Sequence, residues 1–211
     1  MVEGQAEYVQ VVLTPAGDIL VHGPVPPAQV AALAMDPGLR AFRPALKQRE
    51  ALLEISALPG GRVVIAERSG ELLGYVTFHP PDDFERWALG PARTLELGAI
   101  EVAPKVRGLG LARKLLEVAF SDPVMENHIV LATEYYWHWD LDGTGLHVWE
   151  YRELMRQLMA HVGLRVKDTD EEEIISHPAN MLTVRYGKNV PKEDILAFEA
   201  LLFSKPDSNR G

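Results

Sequence analysis

The residues best suited to chemistry in this chain gather around one turn. Arg107-Gly108-Leu109-Gly110-Leu111-Ala112 sets two glycines and a permanent cation between two regular-looking segments. A glycine-bearing turn that opens a helix presents unpartnered backbone N–H groups at a positive dipole end. The missing side chains let a ligand come close to the backbone, and the Arg107 guanidinium adds a fixed charge beside it. The pattern reads as an anion-binding device. A Walker A loop would close on Gly-Lys-Ser/Thr, but Gly110 is followed by Leu111 and Ala112. A dinucleotide fingerprint would need a small residue where Arg113 stands. Three carboxylates lie nearby in sequence or at the end of an apolar run: Glu96, Glu101 and Glu134. A carboxylate inside an apolar strand needs a reason to be there.

The flanking segments must hold these groups. Leu95 to Val102 is largely apolar on both faces, as a central strand should be, and Pro104 ends it. Glu96 and Glu101 fall on opposite faces of that strand unless Gly98 marks a bulge. From Leu111 the apolar residues Leu111, Leu115, Val118 and Ala119 recur at helical spacing. His128 to Thr133 reads as a neighbouring strand that runs on through Glu134 into Tyr135, Tyr136, Trp137, His138 and Trp139. That aromatic string either lines a pocket or packs. The loop Pro80 to Arg93, with Asp82, Asp83, Glu85 and Trp87, is either a binding loop or a solvated acidic connection.

The rest of the chain supplies a scaffold. Val9–Leu13 and Ile19–Val21 read as short strands, and helices are expected from Pro26-Pro27 through Met35 and over Ala45–Ala57. Arg62–Arg68 and Glu71–His79 form a hairpin around Ser69-Gly70. A helix carries Val148, Tyr151, Met155, Leu158 and Val162 on one stripe and stops at Gly163. Leu164–Val166 and Met181–Tyr186 read as strands, Asp168–Glu173 as a solvated acidic run, and Pro191–Phe203 as a closing helix before a polar tail from Ser204. With no repeat or linker, residues 1–211 are expected to form one domain with a core over about 21–187.

Composition narrows the function. Apolar residues make up 47% and charged residues 24%, which fits a globular chain. The absence of cysteine excludes disulfides and thiolate chemistry and fits a reducing cytoplasm. A net charge of −9 without a basic block argues against nucleic acid as a partner and suits a cationic one. No signal peptide or membrane span is expected, because no apolar run approaches the ~18 residues a span needs. No metal site is expected either, since His138 and His147 are isolated.

Arg107, Gly110 and Ala112 fill the Arg/Gln-x-x-Gly-x-Gly/Ala pattern, and the strand–Pro–loop–helix context around them resembles motif A of the GNAT N-acetyltransferases. The resemblance implies an α/β fold whose central mixed, mostly antiparallel sheet is flanked by helices and splayed at the motif-A strand. It implies acetyl-CoA as cosubstrate, its pyrophosphate on Arg107, Gly108, Leu109, Gly110, Leu111 and Ala112. Its thioester would meet the backbone of Ile100, Glu101 and Val102. Glu96 lies eleven residues before Arg107, where histone-type members place their catalytic base. Glu134 and Glu101 are the other candidates. Tyr135, Trp137, His138 and Trp87 are the expected acceptor contacts. Many members carry a tyrosine where this chain has Met159, so the acid for the thiolate stays unassigned.

Longer strings, among them Thr133-Glu134-Tyr135-Tyr136-Trp137-His138-Trp139-Asp140-Leu141 and His177-Pro178-Ala179-Asn180, are similar to the acetoin-utilisation acetyltransferases within that family. That likeness implies a cytoplasmic protein lysine acetyltransferase that inactivates AMP-forming acetyl-CoA synthetase. A small-amine acetyltransferase and a non-catalytic acyl-CoA-binding regulator remain as alternatives. The oligomeric state is open, with a homodimer among the options.

Overall fold

The computed structural model describes residues 8–203. The tail expected from Ser204 lies outside the described residues. Strands β1 (Tyr8–Val12), β2 (Ile19–Gly23), β3 (Ala34–Met35), β4 (Arg62–Arg68), β5 (Glu71–His79), β6 (Thr94–Val102), β7 (Ile129–Glu134), β8 (Arg165–Lys167) and β9 (Met181–Tyr186) build one sheet. Its order is β1-β2-β4-β5-β6-β7-β9-β8, with β3 beside β5. Pairing is antiparallel except between β3 and β5 and between β6 and β7. Helices α1 (Pro27–Ala32), α2 (Ala45–Ala57), α3 (Leu111–Ser121), α4 (Leu141–Thr144), α5 (Val148–His161), α6 (Glu172–Ile175) and α7 (Lys192–Glu199) flank it.

The parallel pair decides the shape of the molecule. β6 is bonded to β5 from His79–Glu96 to Gly74–Val102. It meets β7 only at Thr94–Ile129, Leu95–Val130 and Glu96–Leu131, after which the two strands part. β7 follows β9 instead along its whole length. The sheet therefore splits at its middle, as the motif-A resemblance implies.

Gly98 is the extra residue of a β-bulge, because Phe78 opposes Leu97 while Thr77 opposes Ala99. A Cβ there would sit 2.3 Å from His79 Nε2, so glycine lets the His79 ring lie over the bulge. The bulge shifts the alternation by one residue and puts Glu96 and Glu101 on the same face. That resolves the either/or the sequence leaves for these two side chains.

Two cores fill out the fold. Val130 and Ala132 of β7 face a large cluster with α3, whose Leu111, Leu115, Leu116, Val118 and Ala119 are buried. Ile129 and Leu131 face a second cluster with Trp87, Phe198 and Leu202. α5 begins at a capping box in which Glu150 accepts the His147 N–H at 2.8 Å.

Three expectations are corrected. The helix begun at Pro27 stops at Ala32, because Ala34 and Asp36 donate their amides to Gly70 and Leu72 and form strand pairing in its place. The closing helix stops at Glu199. The acidic run is not simply solvated, since Asp170 and Glu171 pair with Arg86 and the chain then forms α6.

Candidate active site

A cleft of about 680 Å³ runs through the split. At one end lies the anion device. Gly108 and Gly110 have φ of 81° and 75°, and a Cβ on either would meet nothing within 4 Å, so the space over the turn is open. Gly110 caps α3 without a side-chain bond, and the first intrahelical amide bond is Lys114 to Gly110. The amides of Leu111, Ala112 and Arg113 are thus left without helical partners. Arg107 is held over the turn by Asp140 at 2.6 Å and by the Val102 carbonyl at 3.4 Å. The Arg107 hydrogen bond in turn holds the Asp140 carboxyl below its usual range. These features suit a pyrophosphate. Leu109 lies outside the cleft lining and is exposed.

Deeper in, the Ala103 amide bonds to Leu73 on β5. Alternation along the strand then turns the Glu101 amide toward β5 and the Ile100 and Val102 amides toward the split. The Ile100 and Val102 amides thus face away from β5, and the Glu101 amide is taken up by the sheet.

The three carboxylates part company. Glu101 is 6% exposed, and it accepts from the Arg40 and Ala41 amides at 2.7 Å and from the Tyr75 hydroxyl at 2.6 Å. Its oxygens are engaged in holding the segment before α2, although the residue also lines the cleft.

Glu96 is also 6% exposed, and the Thr133 hydroxyl donates to it at 3.0 Å. Burial first, then the adjacent Glu85 carboxyl, push Glu96 up to about 8 against the opposing Thr133 bond. Glu134 sits one residue past Thr133 on the other face of β7, beside Trp139 Nε1 at 3.5 Å. Burial pushes it up to about 7.

The aromatic string divides between lining and packing. Tyr135, His138 and Trp139 line the cleft. Tyr135 stacks on Trp137 at 4.7 Å, and burial pushes its hydroxyl up. His138 meets the Phe42 ring edge-on at 5.4 Å, and burial lowers its proton affinity. Trp139 stacks on Tyr151 at 5.2 Å. Trp137 is 49% exposed and flanks the cleft without lining it. Trp87 is the clear correction: it is 3% exposed and stacks on Phe198 in the second core, so it offers no face to an acceptor. Asn180 fixes the string by accepting the Tyr136 amide at 3.0 Å and donating to the Glu173 carbonyl at 2.9 Å.

Sequence reasoning does not single out Glu85, Glu173, Phe42 or Tyr151, all of which line the cleft. Nothing in the spacing separates Glu85 from Asp82 or Asp83. Glu173 lies in a run that reads as solvent-facing until α6 folds against the site. Among the described residues no cluster of metal-ligating side chains occurs, and no helix is long and apolar enough to cross a membrane.

A sheet split at a parallel pair, with a glycine-capped helix whose first amides are free at one end of the cleft and buried carboxylates at the other, defines an acyl-transfer scaffold. The chain belongs to the GNAT acetyltransferase family, whose model matches residues 31–134, and it is an acetyl-CoA-dependent N-acetyltransferase. It is 50% identical to the acetoin utilization protein AcuA of Bacillus subtilis (strain 168) over 191 residues, 90% of this chain and 91% of the relative. The AcuA of Bacillus licheniformis is 49% identical over the same shares. The crystal structure of an acetoin utilization protein from Exiguobacterium sibiricum 255-15 superposes with a TM-score of 0.92 at 46% identity, covering 96% of this chain and 97% of that one.

Proposed function

We propose that this protein is a lysine N-acetyltransferase of the bacterial cytoplasm that acts in acetoin utilisation by acetylating and inactivating AMP-forming acetyl-CoA synthetase. The carrying observation is the buried carboxyl of Glu96 at the acceptor end of the split, among Glu85, Glu173 and the Tyr135 ring. A free lysine has a pKa near 10.4, so only about 1 in 2,500 is neutral at pH 7. A base at the end of the cleft removes the ammonium proton, and the neutral amine then attacks the thioester carbon. The Ile100 and Val102 amides stabilise the oxyanion that develops; its collapse breaks the C–S bond, and the coenzyme A thiolate leaves and takes up, through water, the proton that the new amide nitrogen sheds. Carboxylates draw the cation in, and aromatic faces cover the aliphatic stem. Near-half identity to acetoin utilization proteins over almost the whole chain supports the pathway.

Mass spectrometry of purified AMP-forming acetyl-CoA synthetase after incubation with this protein and acetyl-CoA tests the reading. One acetyl-lysine and loss of the adenylation step are expected, with a short peptide around that lysine a much poorer acceptor. An unmodified synthetase beside rapid acetylation of a polyamine or amino sugar would replace the protein substrate with a small amine. Tight acetyl-CoA binding with no turnover on any acceptor would leave a non-catalytic regulator.

A further inference from the structure

The segment that carries Tyr135 and His138 into the cleft ends on the cofactor turn. Asp140 closes it, and Asp140 is fixed from several directions. Its Oδ1 accepts the Gly143 amide at 2.9 Å as the cap of α4. Its carbonyl accepts the Thr144 amide at 3.1 Å and the Thr144 hydroxyl at 2.7 Å. Just before it, Trp139 is buried and stacked on Tyr151 of α5. The remaining oxygen, Asp140 Oδ2, accepts from Arg107 Nη1 at 2.6 Å. Gly143 shows how closely the carboxylate is folded in, because a Cβ there would sit 2.2 Å from Oδ2.

Arg107 is the other half of the pair. Its Nε donates to the Val102 carbonyl at 3.4 Å and its Nη1 to Asp140, while Nη2 has no partner among the described residues. Both side chains line the cleft, beside the free amides that open α3.

We infer that Asp140 is a positioning residue for the cofactor: it holds Arg107 in an orientation that leaves Nη2 free for the pyrophosphate of acetyl-CoA. One ion pair thereby ties the segment lining the acceptor end of the cleft to the site that takes the cofactor. The inference rests on the reading of the α3 turn as the pyrophosphate site.

A loose arginine samples many rotamers, and an anion that binds it must freeze them at a cost in affinity. A carboxylate that is itself fixed does the freezing beforehand. The planar guanidinium makes this effective, since a bond on one nitrogen sets the direction of the others. A carboxylate beside an anion site also repels the anion. The side chains of Arg107 and Asp140 are 30% and 34% exposed, so water and salt screen that repulsion, whereas they do not screen orientation. The net effect of Asp140 is tighter binding.

Calorimetric titration with acetyl-CoA over a double-mutant cycle is the test. Asp140→Asn keeps an oxygen for the Gly143 amide and loses the acceptor for Arg107. Its Kd for acetyl-CoA should rise about tenfold, as for one hydrogen bond to a charged group. Arg107→Ala should raise Kd at least as much. In the Arg107→Ala background, Asp140→Asn should then change Kd less than about twofold. Gly143→Ala is the second variant. Its methyl group must displace the carboxylate while both charges stay in the chain, and it should weaken binding several-fold only where Arg107 is present. Equal losses with and without Arg107 would show that Asp140 acts through the fold of α4, and would overturn the inference. Unchanged or tighter binding by Asp140→Asn, beside a weakened Arg107→Ala, would overturn it as well and leave the turn as the cofactor site. Unchanged binding by Arg107→Ala would remove the pyrophosphate reading and the inference with it.

Discussion

Glu96 and Glu101 sit on one strand and one face, five residues apart, and are equally buried at 6% exposure. Burial alone therefore cannot assign their roles. Glu101 meets two amides and a hydroxyl, which are the hydrogen-bond partners a buried carboxyl of the scaffold needs. Glu96 receives one hydroxyl and faces another carboxyl. Where donors saturate a buried acid it holds structure, and where a like charge faces it, it is poised to take up a proton. The difference comes from the neighbours. Glu101 lies opposite Tyr75 in the β5 ladder and under the chain at Arg40–Ala41. Glu96 lies at the last rung before β6 and β7 part.

The largest expected effect removes the charge that defines the Glu96 end. Glu96→Gln should lower turnover by roughly 10²–10⁴-fold with acetyl-CoA affinity nearly intact. It should also change how stability depends on pH. A carboxyl whose folded value is about 8 rather than 4.5 takes up a proton on folding between those values. Ionised Glu96 therefore costs stability as pH rises through that window, and the full cost is present above about 8. The wild-type melting temperature should fall more between pH 5 and pH 9 than that of Glu96→Gln. Parallel curves for the two proteins would show that Glu96 is not held protonated by its surroundings.

The same substitution five residues on should do the reverse. Glu101→Gln weakens three hydrogen bonds at a buried site and should cost about 1–3 kcal/mol of stability. At about 2–4 °C for each kcal/mol, differential scanning calorimetry would read a melting point lowered by several degrees. Turnover per folded molecule should change less than about threefold. A stable Glu101→Gln with turnover reduced a hundredfold would erase the contrast and return Glu101 to the chemistry.

Much of this contrast is hidden in the sequence for identifiable reasons. The motif-A turn, the β6–α3 unit and the candidate glutamates are readable because spacing and apolar periodicity are local properties. The choice between the glutamates depends on partners that come from afar: Tyr75 and Arg40–Ala41 for one, Thr133 and Glu85 for the other. Gly98 shows where the limit falls. Its presence allows a bulge, but only the register against β5 shows that the bulge turns both acids to one face. Trp87 fails in the opposite sense. An aromatic in an acidic loop reads as a docking residue, yet the second core behind the sheet, closed by Phe198, takes it in.

The finest test separates the two neighbours of Glu96. The Thr133 hydroxyl donates to Glu96 Oε1 at 3.0 Å, a bond that favours the ionised carboxylate, whereas the Glu85 carboxyl favours the protonated one. Thr133→Val keeps the side-chain volume and removes the donor, so packing around β7 should be preserved. The Glu96 titration should then move to higher pH. With Glu96 as the proposed base, fewer molecules carry it ionised at neutral pH, so turnover there should drop several-fold, in keeping with one hydrogen bond of about 1 kcal/mol. Raising the pH should recover part of that loss, because the base form returns as Glu96 ionises. If Thr133→Val instead lowers the Glu96 midpoint, or loses turnover equally at every pH, the hydroxyl serves the backbone of β7 and does not tune the acid beside it.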